Sequence, residues 1–241
     1  MSKALIKIVR MVKRRPGLTP AQFKEYWLER HAPLERRAVE AGALKKIVAT
    51  FATGEVAAGG KEAPFDGMAA LYCDSVDAAR AAMVSSATAA MREDARNFAD
   101  VDHAVVSMIA DEHLMSQRRD ADRSMRTEGQ LKIVRTVARR RDLTHAQFKD
   151  YWLKNHSKLE DKALAMSAMQ RIVATFAVPE PGREPDADGM VELYFDSAED
   201  IRSMFAGPVP AMMRRDEENF VQMDVPAIRA VCEEYLIAEA A

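Results

Sequence analysis

Apolar and polar residues alternate along the chain in two periods that follow one another in a fixed order. Ile6 to Val12 is a short β-branched run and predicts a strand. After Thr19 the period changes: Phe23, Trp27, His31 and Leu34 recur at three- and four-residue steps, the spacing of one helix face. The start of that helix is marked by Thr19 and Gln22 as a capping box, Pro20 at the first helical position, and Leu18 with Phe23 as a hydrophobic staple. Leu44 to Phe51 and Met68 to Asp74 predict two more strands, separated by the loop GEVAAGGKEAPFDG. Ser75 can cap a second helix running through Ala- and Met-rich sequence to about Asn97, and Val101 to Ile109 predicts a fourth strand. The order is β α β β α β.

The same order then returns. KIVRMVKRRPGLTPAQFKEYWLERHAPLE, from Lys7 to Glu35, recurs as KIVRTVARRRDLTHAQFKDYWLKNHSKLE from Lys132 to Glu160, with about two residues in three identical. The cap recurs with it, as Thr144, Gln147, Leu143 and Phe148. KIVATFA at Lys46 matches RIVATFA at Arg171, and after a loop three residues shorter in the second copy DGMAALYCDS from Asp66 matches DGMVELYFDS from Asp188. The duplication implies a first domain over residues 1–114, a charged aperiodic linker over 115–129 and a second domain over 130–241. In each half two helices can cover one face of an antiparallel four-stranded sheet, which leaves the other face bare. The second half supplies the missing cover, so the two sheets are expected to pack face to face within one chain.

Composition narrows the function classes. A net charge of −2 over 241 residues argues against a dedicated nucleic-acid binder. The absence of an apolar run near membrane-spanning length and of a signal-peptide core predicts no membrane association and a cytoplasmic location. The two cysteines, Cys73 and Cys232, occupy non-equivalent places in the repeats, which is no disulfide framework. Neither half has a phosphate-binding glycine loop, a nucleophile elbow or metal-ligand spacing, so no metal or cofactor is expected.

The block RRPGLTPAQFKEYWLERHAPL, the DG-x-x-x-LY-x-DS strand and the D-x-x-NF segment resemble the EthD family of the dimeric α/β-barrel superfamily, and the match covers both repeats. Members usually carry one such domain and form the barrel by dimerising. The resemblance therefore implies an α+β fold in which two ferredoxin-like βαββαβ domains make an intramolecular dimeric α/β barrel. The superfamily includes cofactor-independent cyclases, decarboxylases, dehydratases and isomerases, small oxygenases and haem enzymes, so the fold restricts function only loosely.

Candidate chemistry starts with His31 and His156, the only histidines at equivalent positions in the two repeats; His103, His113 and His145 have no counterpart and are expected at the surface. A histidine on the sheet-facing side of a helix can act as general acid or base in a pocket between helix and sheet, or can simply hydrogen-bond a backbone carbonyl. Tyr26 with Trp27, and Tyr151 with Trp152, precede the histidines and could be core or ligand wall. Arg10 and Arg135 sit mid-strand in apolar surroundings and need a counter-charge or an anionic ligand. Glu112 and Glu234 are the candidate bridge partners.

On the third strand the halves differ. Alternation puts Met190, Glu192 and Tyr194 on one face where the first copy has Met68, Ala70 and Tyr72. If that face lines the pocket, His156, Glu192 and Tyr194 could move protons together; otherwise Glu192 is ordinary drift. The 15 methionines suit adaptable core or a flexible apolar pocket, and Asp66-Gly67 and Asp188-Gly189 mark strand-entry turns.

The function expected is cofactor-independent acid/base catalysis (dehydratase, decarboxylase, cyclase or isomerase) on a small aromatic or polyketide-like carbonyl compound. His156 or His31 would transfer the proton, Tyr26, Tyr151, Tyr72 and Tyr194 would orient the substrate, and Arg10 or Arg135 would offset a carboxylate. The alternatives are a cofactor-free monooxygenase of an activated phenol and a non-catalytic small-molecule-binding accessory protein. The fused unit could also pair with itself as a homodimer.

Overall fold

The computed structural model describes residues 5–54, 62–121, 125–180, 182 and 184–240. Eight antiparallel strands close into one barrel: β1 (Leu5–Val12), β2 (Lys46–Ala52), β3 (Gly67–Cys73), β4 (Val106–Gln117), β5 (Glu128–Val137), β6 (Arg171–Ala177), β7 (Gly189–Phe195) and β8 (Arg229–Glu239). Around the barrel the order is β1-β3-β2-β8-β5-β7-β6-β4. Each half contributes a ferredoxin-like sheet, and the last strand of each half hydrogen-bonds to the second strand of the other, β4 to β6 and β8 to β2. The two sheets thus meet along their edges as well as across their inner faces, and closure pairs both edges of each of the eight described strands.

This closure moves the predicted fourth strand. It begins at Val106 instead of Val101 and continues past Ile109 to Gln117, because residues from Ala110 to Gln117 pair with Ala177 back to Arg171 of the other half. The polar stretch DEHLMSQ reads poorly as a strand by itself; the partner strand makes it one. Part of the segment expected as linker is therefore strand, with β5 beginning at Glu128. Residues 122–124 of that segment, and 55–61 of the first long loop, lie outside the described residues.

The first helix of each half is longer and less regular than its pattern predicts. Helix α1 (Pro20–Tyr26) passes through a π turn (Trp27–His31) into α2 (Ala32–Glu40). In the π turn the Ala32 N–H reaches the Trp27 carbonyl, five residues back. The second half repeats it with α5 (His145–Tyr151), a π turn (Trp152–His156) and α6 (Ser157–Ala165). Both capping boxes form as predicted, Thr19 with Gln22 and Thr144 with Gln147. The second helix, predicted as one, is two: α3 (Val76–Val84) and α4 (Ala89–Ala95), and then α7 (Ala198–Ala206) and α8 (Val209–Glu217). Ser85 in extended conformation makes the first break, and Gly207-Pro208 the second.

Two apolar cores fill the space between helices and barrel wall, one per half, and a third lies inside the barrel around Val9, Met11, Met68, Val134 and Met190. Gly67 lets the helix sit close: a Cβ there would lie 2.7 Å from Trp27 Cζ3 and 2.8 Å from Phe23 Cε1. Among the described residues no helix is long and apolar enough to cross a membrane.

Candidate functional site

Each half holds the same polar constellation between helix layer and barrel. The π turn carries Trp27 at its start and His31 at its end, both buried, and α4 presents Asp94 to the histidine. Asp94 Oδ2 lies 2.8 Å from His31 Nδ1, and Asp94 Oδ1 accepts from the Tyr26 hydroxyl at 3.0 Å. Burial would raise the Asp94 pKa, but hydrogen bonds from His31, Asn97 and Tyr26 outweigh it and hold it below the usual carboxylate range. An ionised carboxylate only accepts, so Nδ1 carries the ring proton. Burial lowers the His31 pKa against the opposing pull of Asp94, so the imidazole is neutral and basic at Nε2. In the second half His156 Nδ1 lies 2.7 Å from Asp216 Oδ2, the Tyr151 hydroxyl donates to Asp216 at 3.0 Å, and burial again lowers the histidine.

A second carboxyl completes the group. Glu35, one turn beyond His31, accepts from Trp27 Nε1 at 3.2 Å and places Oε1 3.6 Å from His31 Nε2. Burial pushes its pKa up to about 8 against the Trp27 hydrogen bond and nearby Arg36, so it is largely protonated at neutral pH. Its counterpart Glu160 accepts from Trp152 Nε1 at 2.9 Å and is raised by burial to about 7. Glu160 is 1 % exposed, and its Oε2 has no hydrogen-bond partner. An orphaned buried oxygen is costly unless a ligand completes it.

Both groups open onto cavities, of about 820 Å³ in the first half and about 640 Å³ in the second. Trp27, His31, Glu35 and Arg10 line the first; Trp152, His156, Glu160 and Arg135 line the second. Methionines contribute to both, Met83 and Met91 in one, Met169, Met204 and Met213 in the other. The cavities are of a size for a small ring compound.

The structure does not bring Glu192 and Tyr194 to His156. Val191 and Leu193 face the second cavity, so strand alternation turns Glu192 and Tyr194 into the barrel interior, and Tyr72 likewise in the first half. There Glu192 lies between two fully buried lysines, Oε2 2.9 Å from Lys7 Nζ and Oε1 2.6 Å from Lys132 Nζ. Glu112 takes Lys7 at 2.6 Å and the Tyr72 hydroxyl at 2.8 Å; Glu234 takes Lys132 at 2.5 Å and Tyr194 at 2.9 Å. Burial alone would raise Glu192, but Lys132 and Lys7 outweigh it and hold it at about 2. Burial and the surrounding carboxylates push both tyrosines well above their ordinary value.

The expected bridges from Glu112 and Glu234 to Arg10 and Arg135 are therefore not made. The arginines lie one strand step out of phase with Lys7 and Lys132 and face the cavities. Arg135 forms a bidentate pair with Glu217, at 2.5 and 2.9 Å, while Arg10 Nη2 donates to the Val101 carbonyl at 2.8 Å. Tyr26 and Tyr151 hold the aspartates and are not themselves among the residues lining the cavities, whereas Trp27 and Trp152 are.

Sequence reasoning missed Asp94, Asp216, Glu35 and Glu160 as site residues. Their signal was present: Glu35 and Glu160 close the best-kept block, and Asp94 and Asp216 open the D-x-x-NF segment found in both halves. Of the histidines without counterparts, His103 is exposed, but His113 and His145 are half-buried beside Asp111 and Asp188. His145, Glu184 and Asp188 bring ligand-type atoms within 4.8 Å of one another. Arg139 already sits among them, 2.9 Å from Asp188 and 3.2 Å from Glu184, and supplies the cation itself.

A closed eight-stranded barrel built from two ferredoxin-like units, with a largely apolar cavity holding a buried polar group under each helix layer, defines a dimeric α/β barrel made by one chain. The chain belongs to the EthD family: the EthD domain matches it twice, over residues 15–102 and 140–224. No curated protein matches the sequence. Among solved structures it is similar to an anthrone oxidase-like protein (8% identity, TM-score 0.58, covering 100% of this chain and 96% of that one). It is also similar to a mutant chlorite dismutase from Candidatus Nitrospira defluvii (9%, 0.54, 95% and 92%) and to a candidate monooxygenase from Lactobacillus acidophilus NCFM (11%, 0.50, 100% and 97%). At these identities the likeness is one of fold.

Proposed function

We propose that the protein is a cofactor-independent acid/base enzyme acting on a small aromatic or polyketide-like carbonyl compound, with the buried Asp–His–Glu group of each cavity as its machinery. The observation that carries this reading is the presence, in one cavity wall, of a histidine that an aspartate holds and burial keeps neutral, together with a carboxyl group that burial raises to about 7, so that a large share of it holds its proton at neutral pH. Two groups whose environments push their protonation states apart are suited to act as base and acid. His156 Nε2 takes a proton from a C–H next to the substrate carbonyl. The electron pair of that bond moves to the carbonyl oxygen, which Glu160 protonates, giving the enol. When the histidinium delivers its proton to another carbon of the conjugated enol and the enol O–H proton returns to Glu160, the substrate is isomerised. When the histidinium instead protonates a hydroxyl on the adjacent carbon, that hydroxyl leaves as water, the enol proton returns to Glu160 and the substrate is dehydrated. In the first half the counterparts are His31 and Glu35, with Glu35 Oε1 3.6 Å from His31 Nε2 and the Glu35 pKa raised to about 8. Trp27 and Trp152 orient the carboxyls and offer ring faces to the substrate.

The test is deuterium exchange into a panel of aromatic ring ketones, read by NMR. Exchange by the wild-type protein, lost when His31 and His156 are both replaced by glutamine, is the expected result. No exchange with any member, or exchange that survives both replacements, refutes the reading. A second reading, a cofactor-free monooxygenase, shares the first step, since a deprotonated phenol or anthrone can react with oxygen directly. It is favoured by the fold likeness to the anthrone oxidase-like protein and the candidate monooxygenase, and substrate-dependent oxygen uptake separates the two. An accessory binding protein would bind the ketones and exchange none.

A further inference from the structure

The two cavities differ where a guanidinium meets each of them. In the second half Glu217, at the end of α8, grips Arg135 with both carboxylate oxygens and is itself buried. The position equivalent to Glu217 in the first half is Ala95, which lines the cavity there. Arg10 therefore lacks the carboxylate that its twin has. Its Nη2 is bonded to a backbone carbonyl, and its Nε is buried with no partner. Asp102, the acidic group acting on Arg10 from nearby, is exposed and has both oxygens on Arg96. Of the other charged groups lining this cavity, Glu93 is exposed and Arg92 is engaged with the Ala82 and Ser85 carbonyls and Thr88. Burial pulls the Arg10 pKa below its ordinary value against Asp102, as for a cation short of counter-charge.

We propose that the first cavity binds a ligand carrying a carboxylate, which docks on Arg10 as the Glu217 side chain docks on Arg135, whereas the second cavity, its guanidinium already neutralised from within, takes an uncharged ligand. The second half displays the docking geometry inside the same molecule, and the small side chain of Ala95, which lines the first cavity, leaves the space for it. A guanidinium fork is the group best matched to a carboxylate, and a partly desolvated one gains most from being paired. The two pockets of the fused chain would then serve different ligands, such as an acid and its neutral relative. The inference deepens the acid/base reading by naming the substrate class of one site. It is tested by binding and not by turnover, so either can fail while the other stands.

The probes are 2-naphthoate and its uncharged isostere 2-naphthamide, titrated by calorimetry into the full-length protein. Wild type is expected to bind one naphthoate per chain. Ala95→Glu supplies the missing internal carboxylate and should weaken naphthoate by about tenfold to a hundredfold, the size of a charge-assisted pair, with the amide affected far less. Arg10→Met should do the same, and Glu217→Ala should create a second naphthoate site. Folding of each variant is checked by circular dichroism, and Ala95→Glu decides the matter if Glu217→Ala is unfolded. Two naphthoates per wild-type chain, no naphthoate binding, or binding indifferent to both Ala95→Glu and Arg10→Met overturns the proposal.

Discussion

Replacing Glu192 by alanine should expose how much the barrel interior depends on one carboxylate. Its two oxygens lie 2.9 and 2.6 Å from Lys7 and Lys132, and it is 2 % exposed. Without it each lysine keeps one carboxylate, Glu112 or Glu234, but loses the one shared between them. Breaking a buried ion pair by removing one partner costs about 3–5 kcal/mol, and because each lysine here keeps a partner the lower end, about 3 kcal/mol, is expected. For a chain of this size that is a fall in Tm of about 6–12 °C. The position equivalent to Glu192 is Ala70, buried and facing the same interior. Moving the carboxylate across the approximate two-fold, as Ala70→Glu with Glu192→Ala, should therefore recover most of the lost stability. Ala70→Glu alone should destabilise, because two carboxylates would compete for one place between the same ammoniums. Thermal unfolding at neutral pH, followed by circular dichroism and calorimetry, distinguishes these outcomes. A Glu192→Ala protein that melts with the wild type, or a double swap no more stable than the single variant, would refute the reasoning. The same geometry gives a physical use for the fusion: a symmetric dimer would bring two such glutamates together, while one chain can keep a single one.

Three further outcomes follow from the site. Asp94 raises the His31 pKa against burial, so Asp94→Asn should lower it further, and NMR titration of the imidazole that finds it unmoved contradicts the dyad. Folding raises the Glu35 pKa from 4.5 to about 8, so the folded protein holds a proton that the unfolded chain releases. This stabilisation is full below the unfolded value and declines as pH rises towards the folded one, by about 5 kcal/mol at most. Glu35→Gln removes that slope, and denaturant melts should favour the variant increasingly between roughly pH 5 and pH 8. Gly67→Ala would set a Cβ 2.7 Å from Trp27, Gly189→Ala one 3.2 Å from Phe148, so the first should be the more damaging, by about 1–3 kcal/mol; equal melting points would argue against the close helix packing.

The duplication, the order of elements, both capping boxes and the pair His31 and His156 were legible in the sequence because each rests on local spacing. Helix caps and a three-to-four-residue period are properties of a few neighbouring residues, and the repeat separated what both halves need from what only one has. Two carboxyl partners of the histidines were visible only as kept letters: Asp94 lies on a different helix, and Glu35 needs burial, which no local pattern reports, to become an acid. The π turn was invisible for a related reason, since Phe23, Trp27 and His31 suit a regular helix equally well. Strand alternation correctly grouped Glu192 with Tyr194, but only barrel closure decided that this face looks inward to Lys7 and Lys132 and not towards His156. Likewise Arg10 and Arg135 stood out as charges in apolar strands, yet their partners are set by a half-turn of phase and by one substitution, Ala95 for Glu217, across the fold. Sequence determined the order of the main elements and that this order recurs; the closing of two sheets into one barrel decided how far the last strand of each half runs and which face each charge meets, because contact between distant segments depends on how the chain returns to itself.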